Sequence, residues 1–209
     1  LYRQQDGRWT RDEAALPDLA LNGSAVAAAD LDGDGDLDLF VGSRAVPGKY
    51  GFTPRSQLLR NAGDGSFEAV ASTVVPGLAE AGMVSDAAWG DVDGDGDADL
   101  LLAGEWMQLQ LWENEGGQLQ RKKAGLASSE GWWNALHLAD LDGDGDVDFL
   151  AGNLGLNSDL EASEAEPCLL YVADFDENGA TEPVICYTRD GQHYPWASRD
   201  ELLKQIRPL

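Results

Sequence analysis

An acidic nine-residue segment occurs three times in nearly identical form and a fourth time in a looser form, and it restricts the fold more than any other feature. The three close copies span residues 30–38, 91–99 and 140–148 and read Asp-x-Asp-Gly-Asp-Gly-Asp-x-Asp. The fourth copy, residues 174–182, reads Asp-Phe-Asp-Glu-Asn-Gly-Ala-Thr-Glu. Together the four segments hold half of the 38 acidic residues. Carboxylates at this density repel one another unless a cation lies among them.

The spacing within each segment is that of a metal-binding loop. Side-chain oxygens recur at loop positions 1, 3, 5 and 9, position 7 offers a backbone carbonyl, and glycines at positions 4 and 6 let the first three loops curl tightly. A flexible, all-oxygen donor set favours Ca²⁺ over Mg²⁺ or Zn²⁺. The predicted Ca²⁺ ligands are Asp30, Asp32, Asp34, Asp36, Asp38, Asp91, Asp93, Asp95, Asp97, Asp99, Asp140, Asp142, Asp144, Asp146, Asp148, Asp174, Asp176, Asn178, Ala180 and Glu182. The residues expected to bind through the backbone carbonyl are Asp36, Asp97, Asp146 and Ala180.

Separate calcium loops explain the acidic segments better than three alternatives: metal-free turns, EF-hands and nonapeptide arrays. Asp-Gly pairs are common turn formers without a metal, but three near-identical copies argue against that alternative. An EF-hand is excluded because position 12 holds Val41, Leu102, Ala151 and Ile185 instead of glutamate, and the flanking runs are strand-like. An array of calcium-binding nonapeptides is excluded because successive segments start 34 to 61 residues apart.

The net charge excludes several classes of partner. Lys and Arg total 14 against 38 Asp and Glu in 209 residues, which gives a formal charge of −24 at pH 7. Nucleic-acid binding and docking on anionic lipid both need a basic surface, so we expect neither.

No apolar run approaches the ~18–20 residues of a membrane-spanning helix. The chain opens within a predicted strand, without an initiator Met or a signal peptide, so we expect a piece of a longer protein.

A second repeated element lies between the acidic segments. It combines a strand-like run, a glycine-containing turn and another run, at residues 1–9, 58–67 and 111–117, which indicates β-hairpins. Each repeat therefore has a strand, a metal loop, a strand, a connection and a hairpin. Four antiparallel strands in roughly 50 residues is the pattern of a propeller blade, and a β-sandwich is the alternative. We predict an all-β fold: a partial β-propeller of about four blades of four-stranded antiparallel sheets.

The repeats divide the chain, which we treat as one propeller region over 1–209. The assignments are the end of a preceding blade at 1–13, blades at 20–75 and 80–124, an irregular blade at 130–167, and a partial blade plus a short C-terminal helix at 168–209. Ser198 and Glu201 form a capping-box pattern that predicts the start of this helix. Residues 153–166 are expected to be a loop insertion. Cys168 and Cys186 flank the fourth acidic segment, and they form either a disulfide or two free thiols.

The acidic loops resemble those of the FG-GAP and VCBS repeats in the propeller of integrin α-subunits. Other segments resemble bacterial surface proteins related to cartilage acidic protein, a group that often carries an ASPIC/UnbV domain. These segments lie within residues 46–61, 104–107, 131–134, 152–158 and 194–204. The resemblance implies an extracellular or bacterial outer-surface, calcium-binding propeller with an adhesion-type role toward a protein or carbohydrate. We find no counterpart of the integrin adhesion residues and no ASPIC/UnbV domain in this chain.

The sequence offers weaker evidence on the ligand and on any catalytic activity than it does on the metal. Trp106, Trp132 and Trp133 lie in or beside predicted loops and are the candidate ligand contacts, whereas core packing is expected for most of the seven tryptophans. No recognised catalytic motif occurs, so we expect no catalytic residue and no organic cofactor. The alternative is a polysaccharide-active enzyme of lyase type, or its carbohydrate-binding accessory domain. The open edges of a partial propeller also predict self-association.

Overall fold

The computed structural model describes residues 1–70, 72–155, 158–160 and 162–206, and strands dominate it. The strands are β1 (Tyr2–Gln5), β2 (Arg8–Arg11), β3 (Gly23–Ala29), β4 (Asp38–Ser43), β5 (Gln57–Asn61), β6 (Phe67–Ala69), β7 (Met83–Gly90), β8 (Asp99–Met107), β9 (Gln110–Asn114), β10 (Leu119–Lys122), β11 (Gly131–Ala139), β12 (Asp148–Asn153), β13 (Leu169–Ala173), β14 (Glu182–Arg189) and β15 (Gln192–Pro195). A 3-10 turn spans Leu126–Ser128, and helix α1 spans Arg199–Gln205. The predicted all-β class with antiparallel sheets is confirmed.

The tight hairpins follow from their turn residues. Asp6-Gly7 joins β1 to β2 and Asp190-Gly191 joins β14 to β15, and all four residues have positive φ, between 52° and 77°. Two-residue turns of this kind match the twist of the strands that they join. The predicted capping box at α1 is present, since the Ser198 side chain accepts from the Glu201 N–H and the Glu201 carboxylate accepts from the Ser198 N–H.

Two repeats form complete four-stranded meanders. The first repeat is the sheet β3-β4-β5-β6, in which Leu39 pairs with Leu59. The second repeat, β7 to β10, has the same register, since Leu100 pairs with Trp112. In both repeats the acidic loop joins the first two strands, and the hairpin of the last two strands docks on the second. The predicted strand order of the unit is therefore present twice.

The later repeats differ from the expected four-stranded blades. The third repeat has two described strands, β11 and β12, and the fourth has three, β13-β14-β15. The first two residues of β11 also pair with the last part of β8, Gly131 with Met107 and Trp132 with Glu105. Strands β11 and β12 therefore join the sheet of the second repeat. The described part of residues 154–168 contains no strand, because it lacks the alternating runs and hairpin turns of the earlier repeats. The insertion expected at 153–166 lies partly outside the described residues.

The best-packed core lies between the first two repeats. It combines apolar side chains from both sheets and from the connection between them: Ala25, Leu31, Phe40, Leu58, Val75, Leu78, Val84, Leu100, Leu102, Met107, Trp112 and Leu119. Burial of each large side chain is worth about 1.5–3 kcal/mol, so this interface fixes the relative position of the first two acidic loops. No helix in the described residues is long and apolar enough to cross a membrane. Cys168 and Cys186 are free thiols in this structure.

Candidate metal centres

The carboxylate at loop position 1 organises the backbone of the first three acidic loops. In the first loop Asp30 accepts hydrogen bonds from the backbone N–H of Gly33 at 2.9 Å and Gly35 at 3.0 Å. Asp91 and Asp140 accept the same two bonds at 2.7 to 3.1 Å. The φ angles of Gly33 and Gly35 are 74° and 92°, a region that favours glycine. The two glycines therefore let the loop close around its first aspartate.

In the first two repeats, the carboxylate at loop position 9 connects the acidic loop to the hairpin of the same repeat. Asp99, which is fully buried, accepts from the N–H of Val92 and from the N–H of Asn114 on β9, both at 2.8 Å. Asp38 makes the equivalent two bonds and is 2% exposed. Asp148 accepts only the first of the two bonds and is half-buried, because no described hairpin docks on β12. In the first two repeats, one carboxylate therefore stabilises both the closed loop and the docked hairpin.

Three carboxylates converge in each of the four loops, with ligand oxygens within 4.8 Å of one another. The groups are Asp30, Asp32 and Asp34; Asp91, Asp93 and Asp99; Asp140, Asp142 and Asp148; and Asp174, Asp176 and Glu182. The last three groups use positions 1, 3 and 9, whereas the first uses positions 1, 3 and 5. The structure therefore brings together three of the four predicted side-chain ligands in each loop.

The predicted ligands at positions 5 and 7 shape each loop through a hydrogen bond between them. In every loop the side chain at position 5 accepts a hydrogen bond from the N–H at position 7, at 2.7 to 2.9 Å. The acceptors are Asp34, Asp95, Asp144 and Asn178, and the donors are Asp36, Asp97, Asp146 and Ala180. The Asp97 side chain also accepts from the N–H of Gly116, so the second loop contacts the turn of its own hairpin.

The fourth loop closes in a slightly different way. Asp174 accepts from the N–H of Asn178 at 2.9 Å and of Gly179 at 2.8 Å, one residue later for the first bond than in the other loops. Glu177 occupies the position of the first glycine and has a φ of 54°. A residue with a Cβ in the left-handed region costs roughly 1–2 kcal/mol. This loop therefore brings together carboxylates at the same three positions, 1, 3 and 9, on a more strained backbone.

The electrostatics of the loops are those of crowded carboxylates. Desolvation raises the pKa of Asp93, and neighbouring carboxylates add to the rise. Burial raises the pKa of Asp38 despite the two N–H groups that it accepts from. One oxygen of Asp32 pairs with Arg60 at 3.2 Å, and its Oδ1 is buried with no hydrogen-bond partner among the described residues. A cation in the loop would satisfy this oxygen and offset the repulsion.

The donor sets fit calcium. Ca²⁺ binds oxygen at 2.3–2.6 Å, so two oxygens on one ion lie at most about 5 Å apart. Oxygens within 4.8 Å of one another meet this limit. Mg²⁺ instead demands near-ideal octahedral geometry at 2.0–2.1 Å and usually keeps several of its waters. All three grouped ligands in each loop are carboxylates, the hard oxygen donors that calcium prefers.

One family model matches several stretches of the chain. A family model described as the FG-GAP-like repeat matches residues 1–41, 51–102 and 91–151, which include the first three acidic loops. These matches cover more than half of the chain, so the protein belongs to the FG-GAP-like repeat family. No curated protein matches the chain significantly.

The candidate ligand tryptophans lie at the other end of the strands from the loops. Glu105 follows Asp99 by six residues along β8, a distance of roughly 20 Å. The rings of Trp106 and Trp132 are in contact, with centroids 5.1 Å apart and planes tilted by 44°. Trp133 is separate from this ring pair, and its Nε1–H donates to a backbone carbonyl at 2.8 Å. Two of the three tryptophans are thus brought together.

A polar network around the buried Glu105 supports this ring pair. We name Arg44, Tyr50, Glu105, Trp106 and Trp132 the aromatic cluster. Glu105 is fully buried, forms an ion pair with Arg44 and accepts a hydrogen bond from the Tyr50 hydroxyl. The Trp106 Nε1–H donates to the same hydroxyl at 3.0 Å. Burial and the bond to Glu105 raise the pKa of Tyr50 to about 12. Trp106 has a φ of 56°, a strain that is typical of functional sites.

Sequence reasoning missed the polar members of the aromatic cluster. Tyr50 and Glu105 are 55 residues apart, so no local pattern joins them. One signal was available: residues 39–63 contain four of the 14 basic residues and no acidic residue, in a chain of charge −24. An acid-free basic stretch in such a chain indicates a surface that differs from the calcium loops.

Proposed function

We propose that this protein is a calcium-binding, adhesion-type module of the FG-GAP-like repeat family, built as a partial β-propeller and located outside the cell or on a bacterial outer surface. The observation that carries the proposal is the convergence of three carboxylates in each of four loops. Within the family we place the chain near bacterial surface proteins related to cartilage acidic protein, because of the segments that resemble them. Its role is binding and not catalysis.

The loops couple metal binding to folding. The position-1 aspartates hold the loop backbone, and the position-3 and position-9 carboxylates complete the site in the last three loops. Asp38 and Asp99 also accept from the hairpin of their own repeat, so a filled loop would stabilise hairpin docking. When bound, Ca²⁺ supplies the positive charge that the clustered carboxylates lack. Extracellular modules bind calcium at about 10⁻⁴–10⁻³ M, which suits the proposed location.

The aromatic cluster is the proposed ligand contact. Trp106 and Trp132 offer ring faces for stacking on a sugar or an apolar side chain. The buried Glu105 fixes Arg44 and Tyr50, whose guanidinium and hydroxyl are hydrogen-bonding groups beside the rings. The cluster is distant from the calcium loops, so in this proposal calcium stabilises the module and the aromatic cluster contacts a protein or carbohydrate.

The raised pKa of Tyr50 suits a hydroxyl that donates a hydrogen bond to a ligand. A pKa of about 12 keeps the hydroxyl protonated at neutral pH, so it is a poor general base for abstracting a proton from a uronate. We expect no unsaturated uronate, detected by its ultraviolet absorbance, from a panel of acidic polysaccharides incubated with the protein and Ca²⁺. Product formation that depends on Tyr50 would replace the binding proposal with an enzymatic one.

Equilibrium dialysis with radioactive Ca²⁺ tests the metal part of the proposal. We expect four ions bound per chain, because four loops hold a carboxylate group. The double variant Asp140→Asn/Asp142→Asn should bind one ion fewer, and an exposed acidic control outside the loops, Glu13→Gln, should bind four. Equal binding by the loop variant and the control would refute the assignment of the loops.

Binding to glycan and protein panels tests the ligand part of the proposal. Trp132→Ala should weaken capture of any ligand that the native protein binds by tenfold or more, the effect of losing a central aromatic contact. Trp196→Ala is the matched control, because Trp196 is 49% exposed and lies on the fourth repeat. Equal losses in the two variants, or no loss in either, would refute the aromatic cluster as the ligand contact.

A further inference from the structure

The hairpins of the first two repeats carry opposite charges at one equivalent position. Both hairpins dock in the same register. Their asparagines, Asn61 and Asn114, each donate a backbone N–H to the position-9 carboxylate of the acidic loop in the same repeat. The residue before the asparagine is Arg60 in the first repeat and Glu113 in the second. The two acidic loops therefore lie beside side chains that differ by two unit charges.

Arg60 faces the first acidic loop. Its Nε lies 3.2 Å from Oδ2 of Asp32, the carboxylate at loop position 3. The residue directly opposite Arg60 on β6 is Glu68, yet the ion pair of Arg60 is with the loop. Among the described residues, no other basic side chain forms an ion pair with a carboxylate of the first three loops. The first loop thus contains one positive charge of the protein's own.

The second loop has a carboxylate where the first loop has a guanidinium. Desolvation raises the pKa of Asp93, at position 3 of the second loop, and Glu113 is one of three neighbouring carboxylates that add to the rise. Glu113 forms an ion pair with Lys122 on β10, which offsets part of its charge. No described basic side chain pairs with Asp93 itself. The position-3 carboxylate of the second loop is therefore beside a further carboxylate and has no cation of its own.

The second repeat holds Asp32 in place beside Arg60. The Asn114 side chain donates to the carbonyl of Leu31 at 2.8 Å. Gly117, in the turn of the second hairpin, packs so closely that a Cβ there would lie 3.0 Å from the Asp32 Cβ. Arg60 uses Oδ2 of Asp32, whereas Oδ1 is buried with no hydrogen-bond partner among the described residues. One oxygen of Asp32 therefore remains for a cation, so Arg60 would weaken metal binding without preventing it.

The grouping of carboxylates also sets the first loop apart from the second. In the second loop the buried Asp99, at position 9, joins the carboxylates at positions 1 and 3. In the first loop the third member is Asp34, at position 5, which is exposed. An exposed carboxylate is screened by water, so it attracts a bound ion less than a buried one does. The grouping and the arginine both favour weaker binding in the first loop.

We propose that Arg60 is a built-in counter-ion of the first acidic loop that competes with Ca²⁺, so that this loop binds calcium more weakly than the second loop. The proposal rests on the calcium sites of the proposed function and does not involve the ligand contact. A guanidinium beside the carboxylates repels an incoming cation, and without metal it offsets their mutual repulsion. The first loop should therefore fill after the second and depend less on calcium for its folded shape.

Calcium titration of protein isotopically labelled at glycine, followed by nuclear magnetic resonance, measures each loop separately. Gly33 and Gly35 lie in the first loop and Gly94 and Gly96 in the second, and all four N–H groups donate to the aspartate at position 1. Their amide signals report the occupancy of their own loop. At an ionic strength of about 10 mM, where the Debye length is about 30 Å, we expect Kd of the first loop to be at least fivefold that of the second.

Removal of the guanidinium should bring the two loops together. Arg60→Gln should lower Kd of the first loop at least fivefold and leave that of the second within twofold, since a unit charge close to a divalent ion has about this effect at a surface. Arg60→Glu, which copies the charge of the second repeat, should lower it further. The difference between Arg60→Gln and the native protein should shrink at about 1 M salt, because the Debye length falls to about 3 Å.

Arg55→Gln is the matched control, because it removes the same charge from an exposed arginine at the other end of β5, where Arg55 pairs with Glu80. It should leave Kd of both loops within twofold of the native values. An unchanged Kd of the first loop in Arg60→Gln would overturn the proposal. An equal fall of that Kd in Arg55→Gln would also overturn it, because net charge alone would then explain the effect.

Thermal unfolding with and without calcium gives a second readout. In excess EDTA, Arg60→Gln should lower Tm by about 2 °C, the effect of losing an exposed ion pair in a chain of this size. At saturating Ca²⁺ the variant should regain the native Tm, because its first loop binds calcium more tightly. Arg55→Gln should change Tm equally in both conditions. A deficit of Arg60→Gln that persists at saturating Ca²⁺ would contradict competition between Arg60 and calcium.

Failure of this proposal is distinguishable from failure of the proposed function. If the loop glycines do not shift with Ca²⁺ in any variant, the loops are not calcium sites and both proposals are wrong. If they shift with the same Kd in the native protein and in Arg60→Gln, the calcium sites stand and only the role of Arg60 is wrong.

Discussion

The substitution Asp99→Asn should destabilise the metal-free protein far more than Asp148→Asn, although both change position 9 of an acidic loop. Asp99 is fully buried and its two oxygens accept from two backbone N–H groups, of Val92 and Asn114, at 2.8 Å each. An asparagine has one acceptor oxygen, so one buried N–H would face an NH₂ group. Asp148 is half-buried and accepts only from the Leu141 N–H at 3.0 Å, a bond that an asparagine oxygen can keep.

The magnitudes follow from these hydrogen bonds. A buried donor left unsatisfied costs about 1–3 kcal/mol, and loss of the charge weakens the remaining bond as well. We therefore expect Asp99→Asn to lower the free energy of unfolding by about 2–3 kcal/mol. For Asp148→Asn the expected loss is about 1 kcal/mol or less, since its NH₂ group can turn to water. A difference of about 2 kcal/mol between the two variants corresponds to roughly 4–8 °C in Tm for a chain of this size.

Urea unfolding in excess EDTA, followed by tryptophan fluorescence, measures both variants without a metal contribution. The unfolding curve from fluorescence should coincide with the curve from far-ultraviolet circular dichroism, which checks that each variant unfolds in a single transition. Equal losses in the two variants would refute the inference that hairpin docking, and not loop closure alone, makes position 9 important. A larger loss for Asp148→Asn would contradict the register assigned to the first two repeats.

Two further predictions concern the backbone of the fourth loop and the aromatic cluster. Glu177→Gly should stabilise the metal-free protein by about 1 kcal/mol by removing the Cβ at a φ of 54°, whereas Glu177→Ala, which keeps the Cβ, should not; equal urea midpoints for the two variants would contradict this. Tyr50 has a pKa raised to about 12, above its ordinary value of 10.0, so its contribution to stability is complete below pH 10 and is lost as the pH rises toward 12. The urea midpoint should therefore fall more between pH 9 and pH 11.5 in the native protein than in Tyr50→Phe. Equal falls in the two proteins would contradict the raised pKa of Tyr50.

The acidic loops were predictable because their chemistry is local. The bonds from Gly33 and Gly35 to Asp30 span three and five residues, and glycines at fixed offsets indicate them. The hairpins were predictable for the same reason, since Asp6-Gly7 sets its own turn. Local patterns were enough to predict the repeated unit of strand, loop, strand and hairpin.

The features that were not predictable depend on contacts between distant residues. Arg60, from the hairpin, pairs with Asp32, and the first loop groups positions 1, 3 and 5 where the others use position 9. The pairing of Trp132 with Glu105 joins the third repeat to the sheet of the second, and no spacing indicated it. Core packing is expected for most tryptophans, yet Trp196 is 49% exposed on the fourth repeat. Pairing between distant strands decides such features, and a single sequence does not record it.

A thermal melt against free Ca²⁺, with Mg²⁺ as the control ion, is the most direct test that the acidic loops are calcium sites. At a free concentration of 100 times Kd, each calcium site adds about 2.7 kcal/mol to the folded state. For a chain of 150–250 residues this corresponds to a rise in Tm of roughly 5–11 °C per site. We predict a large rise with Ca²⁺ that saturates and a much smaller rise with Mg²⁺. A Tm that does not respond to Ca²⁺, or that responds equally to both ions, would contradict the assignment of the acidic loops as calcium sites.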